Sequence, residues 1–485
     1  MNLARRPRAR QALQALTVAG LLAGTAAAGI GPGAGPLSPA WRVARALGIV
    51  PPLVRAATQP DLSCGAPGYC VVVGSTGTRA GNEAPFVATE VRGTWGDARP
   101  VPGIGRLDHG RGAVAAAVSC PAAGDCVLVG SYAGTGGTIL PFIAAQTHGL
   151  WHAARELPRL SALAGASSAE LTSVSCPKPG DCLVGGEFTH ASKTQALTAR
   201  EVGGRWRRPI ELPGTRALNT GGAAQVLSVS CAAPGDCAAG GTYADSPNTL
   251  QAFVDSDVRG RWRQAIKVPG LPATGSPLTL MTSVSCGLPG DCAGGGIYSA
   301  TDGQHAFAVS EANGTWRPAV SIGTVVPHPP GIELAPVIFA VSCTRGGCTA
   351  GGTYPDPNGN GTLQAFIIGS DAKGTWGRPR TVPGTVALNA GGNATVLSVS
   401  CASAGNCALG GSYVSASPRG VQAFVATEVN GVWRKAAEVP GTAKLNTGPN
   451  AAVSSVACPA IGRCAAAGTY TTRANITWVF VTRQR

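Results

Sequence analysis

Sixteen cysteines are the residues of this chain whose type and spacing most directly specify chemistry. They form eight pairs: Cys64 with Cys70, Cys120 with Cys126, Cys176 with Cys182, Cys231 with Cys237, Cys286 with Cys292, Cys343 with Cys348, Cys401 with Cys407 and Cys458 with Cys464. Five residues separate the members of each pair, except four between Cys343 and Cys348. Paired thiols either oxidise to a disulfide or hold zinc as thiolates. Structural zinc favours the closer Cys-x2–4-Cys spacing, with two such pairs per ion. Here each pair stands alone and is spaced more widely. Residues facing each other across a short hairpin lie near the separation a disulfide requires. The spacing therefore predicts eight intra-hairpin disulfides, with zinc as the rival reading and no metal expected. Each link closes a loop of about seven residues, worth about 2 kcal/mol in the chain-entropy model.

Other chemistry is sparse. The sequence has no nucleophile elbow, no phosphate-binding loop and no metal-spaced histidine pair, so no catalytic residue and no cofactor is assigned. His148 and His152 bracket Trp151 at an expected strand edge. Asp125, Asp181, Asp236 and Asp291 recur inside the cysteine loops, where an aspartate ordinarily hydrogen-bonds its own turn. Asp108-His109 occurs once, in a long loop.

The first cysteines of successive pairs lie 55 to 58 residues apart, so the chain is a repeat protein from about residue 58 to its end at 485. Residues 226–270 show one unit. A Val-rich strand runs to Cys231, and Pro234-Gly235 turns the chain. Small residues after Cys237 form a second strand, 251–258 a third, and 262–268 a fourth. Four short antiparallel strands per unit, repeated eight times, describe an all-β fold: a β-propeller of eight four-stranded blades, each with one hairpin disulfide. Phe86, Phe142, Phe253, Phe307, Phe366 and Phe424 recur in the third strand, with Leu197 as a substitute. Trp95, Trp151, Trp206, Trp262, Trp316, Trp376 and Trp433 open the fourth. Side chains present in every blade are expected to pack between blades rather than to stack on sugars. Gly-Gly pairs in the second strands suit close approach of neighbouring backbones.

From Cys458 only 27 residues remain, too few to reach a fourth-strand Trp, which elsewhere follows 30 to 33 residues after the first cysteine. Near the start, Trp41 lies 23 residues before Cys64, and residues 41–50 match 433–439 in pattern. Residues 29–57 are therefore expected to supply the last blade's outer strand; an amphipathic helix or propeptide at 38–57 is the other reading. Before it, Arg5 to Arg10 and the apolar residues 12–28 read as a signal peptide, 1–28, ending at Ala26-Ala27-Ala28, with an uncleaved anchor as the alternative. The domain order is then 1–28 signal, 29–57 closing segment, 58–485 propeller. The net charge of +14 falls to about +10 once Arg5, Arg6, Arg8 and Arg10 are removed (14 minus 4). Basic residues do not interleave with aromatics, which argues against nucleic acid.

In the turns between third and fourth strands, Ser310-Glu-Ala-Asn-Gly-Thr-Trp316 and Ser370-Asp-Ala-Lys-Gly-Thr-Trp376 resemble the Asp-box (BNR) repeat of sialidase-like propellers, Ser-x-Asp-x-Gly-x-x-Trp. The chain departs from that pattern: Ala312 and Ala372 replace the aspartate, and Trp comes one residue early. The resemblance implies blade geometry, and the sialidase arginine cluster, Tyr nucleophile and acid map onto no positions here. The Ser-Val-Ser-Cys-x5-Cys pattern also resembles secreted actinobacterial Cys-repeat proteins over nearly the whole mature chain.

Together these readings describe a secreted or cell-wall-associated monomer without a membrane span after signal cleavage. Its expected role is non-catalytic binding or scaffolding, with a glycan or anionic wall polymer as partner. A glycan hydrolase or lyase, which would need two placed carboxylates, and a purely structural envelope protein are the alternatives. Loops between blades vary, and variable loops on a rigid scaffold commonly carry function. In them Leu218-Asn219, Leu388-Asn389 and Leu445-Asn446 recur, with Leu107-Asp108 at the matching place. Asp108, Asn219, Asn389 and Asn446 are thus the candidate ligand-binding residues, with turn capping as the other reading.

Overall fold

Before each first cysteine, small and branched apolar residues alternate with serine, and these segments form the innermost strands of eight separate antiparallel sheets. The computed structural model describes residues 40–485 except 51–52, 79–80, 161–162, 164–165, 273–277, 323–334, 357–360 and 417–418, with backbone alone over 53–57. The expected signal peptide, 1–28, and residues 29–39 lie outside the described residues. The fold is an eight-bladed β-propeller. Blade 4 is representative: Ala224–Ala233, Asp236–Ser246, Thr249–Val258 and Arg261–Trp262 follow one another outward as an antiparallel meander.

Each blade carries one disulfide across its first hairpin. In chain order Cys64 is bonded to Cys70, Cys120 to Cys126, Cys176 to Cys182 and Cys231 to Cys237. Cys286 is bonded to Cys292, Cys343 to Cys348, Cys401 to Cys407 and Cys458 to Cys464. The Cα atoms are 3.9–4.1 Å apart in all eight. The closeness follows from register: Cys64 stands directly opposite Cys70 in the ladder, and Cys286 opposite Cys292, Cys343 opposite Cys348 and Cys401 opposite Cys407. The second cysteine is the more buried member of most pairs. Cys70, Cys126, Cys182, Cys237, Cys292, Cys407 and Cys464 are buried, and Cys348, in the turn one residue shorter, is half-buried. With every cysteine bonded, no thiolate remains for the zinc alternative.

The fourth strand departs from the sequence expectation. It is two short pieces, Arg261–Trp262 and Ile266–Lys267 in blade 4, both paired with the third strand. The break has a cause. Between the pieces the backbone turns to the preceding blade, and Ala265 N–H donates to Pro213 O at 2.8 Å. Ala154 does the same to Pro102, Ala319 to Pro269 and Ala436 to Pro383. In these blades the outer strand gains one bond to the preceding blade; in blades 3 and 6 Pro209 and Pro379 stand at this position and carry no N–H to donate.

The serines near the inner cysteines serve the same purpose. Cys120 N–H donates to Ser63 Oγ of the preceding blade at 2.9 Å, and the pattern repeats from Cys176 to Ser119, Cys231 to Ser175, Cys286 to Ser230, Cys343 to Ser285, Cys401 to Ser342 and Cys458 to Ser400. Inner strands of adjacent blades have no mutual ladder, so these hydroxyls give partners to N–H groups at the part-buried seam. Between the strands, Phe86, Phe142, Phe253, Phe307, Phe366, Phe424 and Phe480 are fully buried. The Gly-Gly pairs make room: a Cβ on Gly240 would sit 2.6 Å from Val284 Cγ1 of the next blade, and one on Gly241 would overlap the Gln225 carbonyl oxygen.

Arg45–Ala46 forms the outer strand of the eighth blade, paired antiparallel with Thr477–Arg483 (Arg45 with Val481, Ala46 with Phe480). The interblade wiring continues through it: Ala44 N–H donates to Pro440 O at 2.7 Å, and Ala98 N–H of blade 1 donates to Gly48 O at 2.7 Å. Leu47 is buried with Trp95 and Val481 where blades 8 and 1 meet. On the inner side Leu62 N–H donates to Ser455 Oγ at 3.1 Å, a serine rung spanning 393 residues of sequence.

Candidate functional site: a cleft between the third and fourth blades

Turns one and three of each blade meet on one face of the ring. Gly260 N–H in the turn before Trp262 donates to Gly235 O in the cysteine turn at 2.9 Å, and the contact repeats from Gly93 to Gly68, Gly149 to Gly124, Gly204 to Gly180, Gly314 to Gly290 and Gly431 to Gly405. The recurring loop acids add to it. Asp236 Oδ1 accepts from Arg259 N–H and Asp291 Oδ1 from Asn313 N–H. Asp181 instead pairs with Lys178 at 3.4 Å. In blade 6, Asp371 Oδ1 accepts from the N–H groups of Lys373 and Thr375 and closes its own turn.

Below these turns, five blades bury a carboxylate at one third-strand position: Glu90, Glu201, Asp257, Glu311 and Glu428. An unpaired buried charge is costly, and each has an arginine from the preceding blade. Arg483 lies 3.4 Å from Glu90, Arg200 pairs with Asp257, and Arg155, Arg263 and Arg380 lie beside Glu201, Glu311 and Glu428. Burial still pushes Glu90, Glu201, Glu311 and Glu428 above the usual carboxylate range, against the pull of those guanidiniums. The arginines come from three places in the repeat. Arg200 and Arg483 are third-strand residues, Arg263 follows the fourth-strand Trp, and Arg155 and Arg380 stand in the second outer piece.

This choice of position leaves one junction open. Between blades 3 and 4 the place of Arg155 and Arg380 is taken by the shorter Ile210. The countercharge for Asp257 comes instead from Arg200, lying against Gly260, where a Cβ would be 3.0 Å from Arg200 Nη1. The result is a cleft of about 620 Å³ on the cysteine-turn face. Blade 3 contributes Asp181, Thr198, Arg200, Glu201, Arg207, Arg208 and Ile210. Blade 4 contributes Asp236, Arg259, Gly260 and Trp262, whose indole is half-buried. Guanidiniums, carboxylates and an apolar ring edge thus converge in a volume typical of small-ligand sites.

The residues singled out in the sequence lie elsewhere. Asn219, Asn389 and Asn446 are buried where consecutive blades meet on the opposite side of the sheets. Asn219 Nδ2 donates to Thr194 O and Gln195 Oε1 of blade 3 at 2.9 and 3.0 Å, while its Oδ1 accepts from Ala244 N–H of blade 4 at 3.4 Å. Asn389 reaches Leu363 O and Gln364 Oε1, and Asn446 reaches Val421 O, Gln422 Oε1 and Thr471 N–H in the same way. Asp108 Oδ1 accepts from Gly110 N–H at 2.9 Å within its own loop, and His109 adopts a left-handed φ of 48°. The four residues occupy four separate junctions and do not come together. His152 Nε2 hydrogen-bonds Thr147 Oγ1, and among the described residues no three His, Cys, Asp or Glu side chains are grouped to hold a metal. The cleft residues carried one signal in the sequence. At the third-strand position before the buried carboxylate stand Thr89, Ala145, Arg200, Ser256, Ser310, Gly369, Thr427 and Arg483, so Arg200 and Arg483 depart from the small residues of that column.

No protein-family model matches the chain, and no curated protein matches it in sequence. Solved propellers match its fold. The BP39L lectin from Burkholderia pseudomallei is 16% identical over 80% of this chain and 99% of the lectin, with a TM-score of 0.43. The β-propeller domain of the Trilobed protease from Pyrococcus furiosus is 8% identical over 79% of this chain and 98% of its own, at 0.42. An ulvan lyase of polysaccharide lyase family PL25 is 11% identical over 82% of this chain and 96% of its own, at 0.37. Such distant likeness concerns architecture, and function on a propeller has to be argued from the site.

Proposed function

We propose that this protein is a non-catalytic carbohydrate-binding propeller that works outside the cytoplasm. The cleft between blades 3 and 4 carries the reading. A sugar ring offers apolar C–H faces and a periphery of hydroxyls that both donate and accept hydrogen bonds. The cleft supplies a partly open indole at Trp262, guanidinium donors at Arg200 and Arg259, and carboxylate acceptors at Asp181 and Asp236. Its walls are rigid, because Arg200 is held by Asp257 and Asp236 is held by Arg259 N–H. Pre-formed walls reduce the ordering cost of binding. Eight disulfides with no free cysteine fit an oxidising compartment, and among the described residues no helix is long and apolar enough to cross a membrane.

The test is a glycan and wall-polymer array probed with the wild type and with Trp262→Ala. The reading expects binding that the substitution abolishes while the melting temperature stays above the assay temperature. Binding that survives the substitution moves the site elsewhere. Cleavage products from the bound glycan contradict the non-catalytic part of the reading.

A further inference from the structure

The arginines of the cleft are not equally engaged, and the difference names a ligand class. In two junctions the arginine after the fourth-strand Trp reaches forward to a turn carbonyl of the next blade. Arg263 Nη1 donates to Gly314 O at 2.6 Å, and Arg317 Nη1 to Lys373 O at 2.9 Å. Arg207 is the same residue of blade 3 and should reach the Gly260 turn of blade 4. Arg200 already lies against that turn. Arg207 is consequently exposed, and its guanidinium has no partner among the described residues. Arg259 faces the same cleft from blade 4. Its backbone is held in a left-handed conformation, φ 50°, by the bond from its N–H to Asp236 Oδ1, and its guanidinium is also without a partner among the described residues. The cleft acids, in contrast, are engaged: Asp257 by Arg200, Asp181 by Lys178 and Asp236 by the Arg259 N–H.

We propose that Arg207 and Arg259, from opposite walls of the cleft, clamp the anionic group of an acidic sugar, a carboxylate or a sulfate, while Trp262 supports the ring. The proposal rests on the carbohydrate reading of the cleft and narrows it. Guanidinium forks match planar carboxylate and sulfate oxygens bidentately, which a hydroxyl cannot exploit as well.

Titration calorimetry with three probes tests it: a heparin-derived hexasaccharide (sulfate and carboxylate), an oligogalacturonate of similar length (carboxylate only) and maltohexaose (neutral). At least one acidic probe should bind and maltohexaose should not; binding of the heparin fragment alone assigns sulfate, and binding of the oligogalacturonate assigns carboxylate. The pair Arg207→Ser and Arg259→Ser should weaken the acidic probe about tenfold or more, as expected for lost charge-assisted hydrogen bonds. Arg92→Ser, at the equivalent exposed turn position of blade 1, should change nothing. An equal loss with Arg92→Ser means diffuse charge attraction and overturns the proposal. Maltohexaose binding that is sensitive to Trp262→Ala and unaffected by the two arginine changes also overturns it, and leaves the carbohydrate reading standing. If neither these probes nor the array finds a ligand, both fall.

Discussion

Replacing Asp255 by asparagine should change how stability depends on pH. Asp255 stands in the third strand of blade 4, on the same strand face as Asp257, and is buried. Burial pushes its carboxyl from the ordinary 3.8 up to about 7; the Ser256 N–H and the Arg263 guanidinium pull it down, and Glu311 pushes it further up. Its folded-state pKa therefore lies above the unfolded one. The folded protein holds the proton more tightly than the unfolded chain, so the contribution to stability is complete below about pH 4 and is lost as pH rises through about 7. Across that interval, at about 1.4 kcal/mol per pH unit, the loss is of the order of 4 kcal/mol. Asparagine keeps the shape and cannot ionise. Urea unfolding followed by tryptophan fluorescence, with disulfides intact, should show Asp255→Asn and wild type similar near about pH 4. Near about pH 8 the variant should be the more stable by up to about 4 kcal/mol. Glu90, Glu201 and Glu428 are shifted upward too and give both proteins the same background slope. A variant-to-wild-type difference that does not move with pH would refute the assignment of a buried, proton-holding carboxyl.

Other expectations follow from the junctions between blades. Leu47, 5% exposed between blades 8 and 1, should cost about 2–5 kcal/mol when changed to alanine, whereas Val43→Ala, at 71% exposure, should stay within about 0.5 kcal/mol by thermal unfolding. Ser230→Ala removes the acceptor for Cys286 N–H and should cost about 1 kcal/mol in the same assay, since the orphaned donor is half-buried. Cys231→Ala with Cys237→Ala should cost about 2 kcal/mol, and peptide mapping without reductant should find every remaining cysteine linked to its own pair. Asn219→Ala, which removes the amide donor to Thr194 O and to the buried Gln195 Oε1, should lower the melting temperature with no change in glycan affinity.

Much of the architecture was legible because it is written eight times. The cysteine period, the third-strand Phe and the fourth-strand Trp each mark a blade, and all are internal packing or covalent features that every blade needs. The wiring between blades was not legible in the same way. The serines of Ser-Val-Ser-Cys looked like ordinary strand residues, yet they accept N–H groups 56 to 59 residues away. The alanine in the middle of six outer strands (Pro209 and Pro379 replace it in blades 3 and 6) gave no hint that its N–H bonds to the preceding blade. Asn219, Asn389 and Asn446 stood out because they recur, and recurrence reflects a repeated packing need: each fastens one blade to the next. The cleft depends on the opposite kind of signal. It forms where Arg200, in a column whose only other long side chain is Arg483, meets Ile210, at a position that Arg99, Arg155, Arg380 and Arg45 fill in blades 1, 2, 6 and 8. Its walls are also contributed by residues from 177 to 262, which only the ring brings together.

The claim that the blade 3–4 cleft is the binding site is tested most directly by hydrogen–deuterium exchange with and without a bound array-selected oligosaccharide. Protection confined to backbone amides of residues 198–208, 231–237 and 257–262 is the predicted result. Protection of residues 107–110, 219–222, 389–392 and 446–449 on the opposite side, with the cleft unchanged, would contradict it and return the site to the amide-bearing loops.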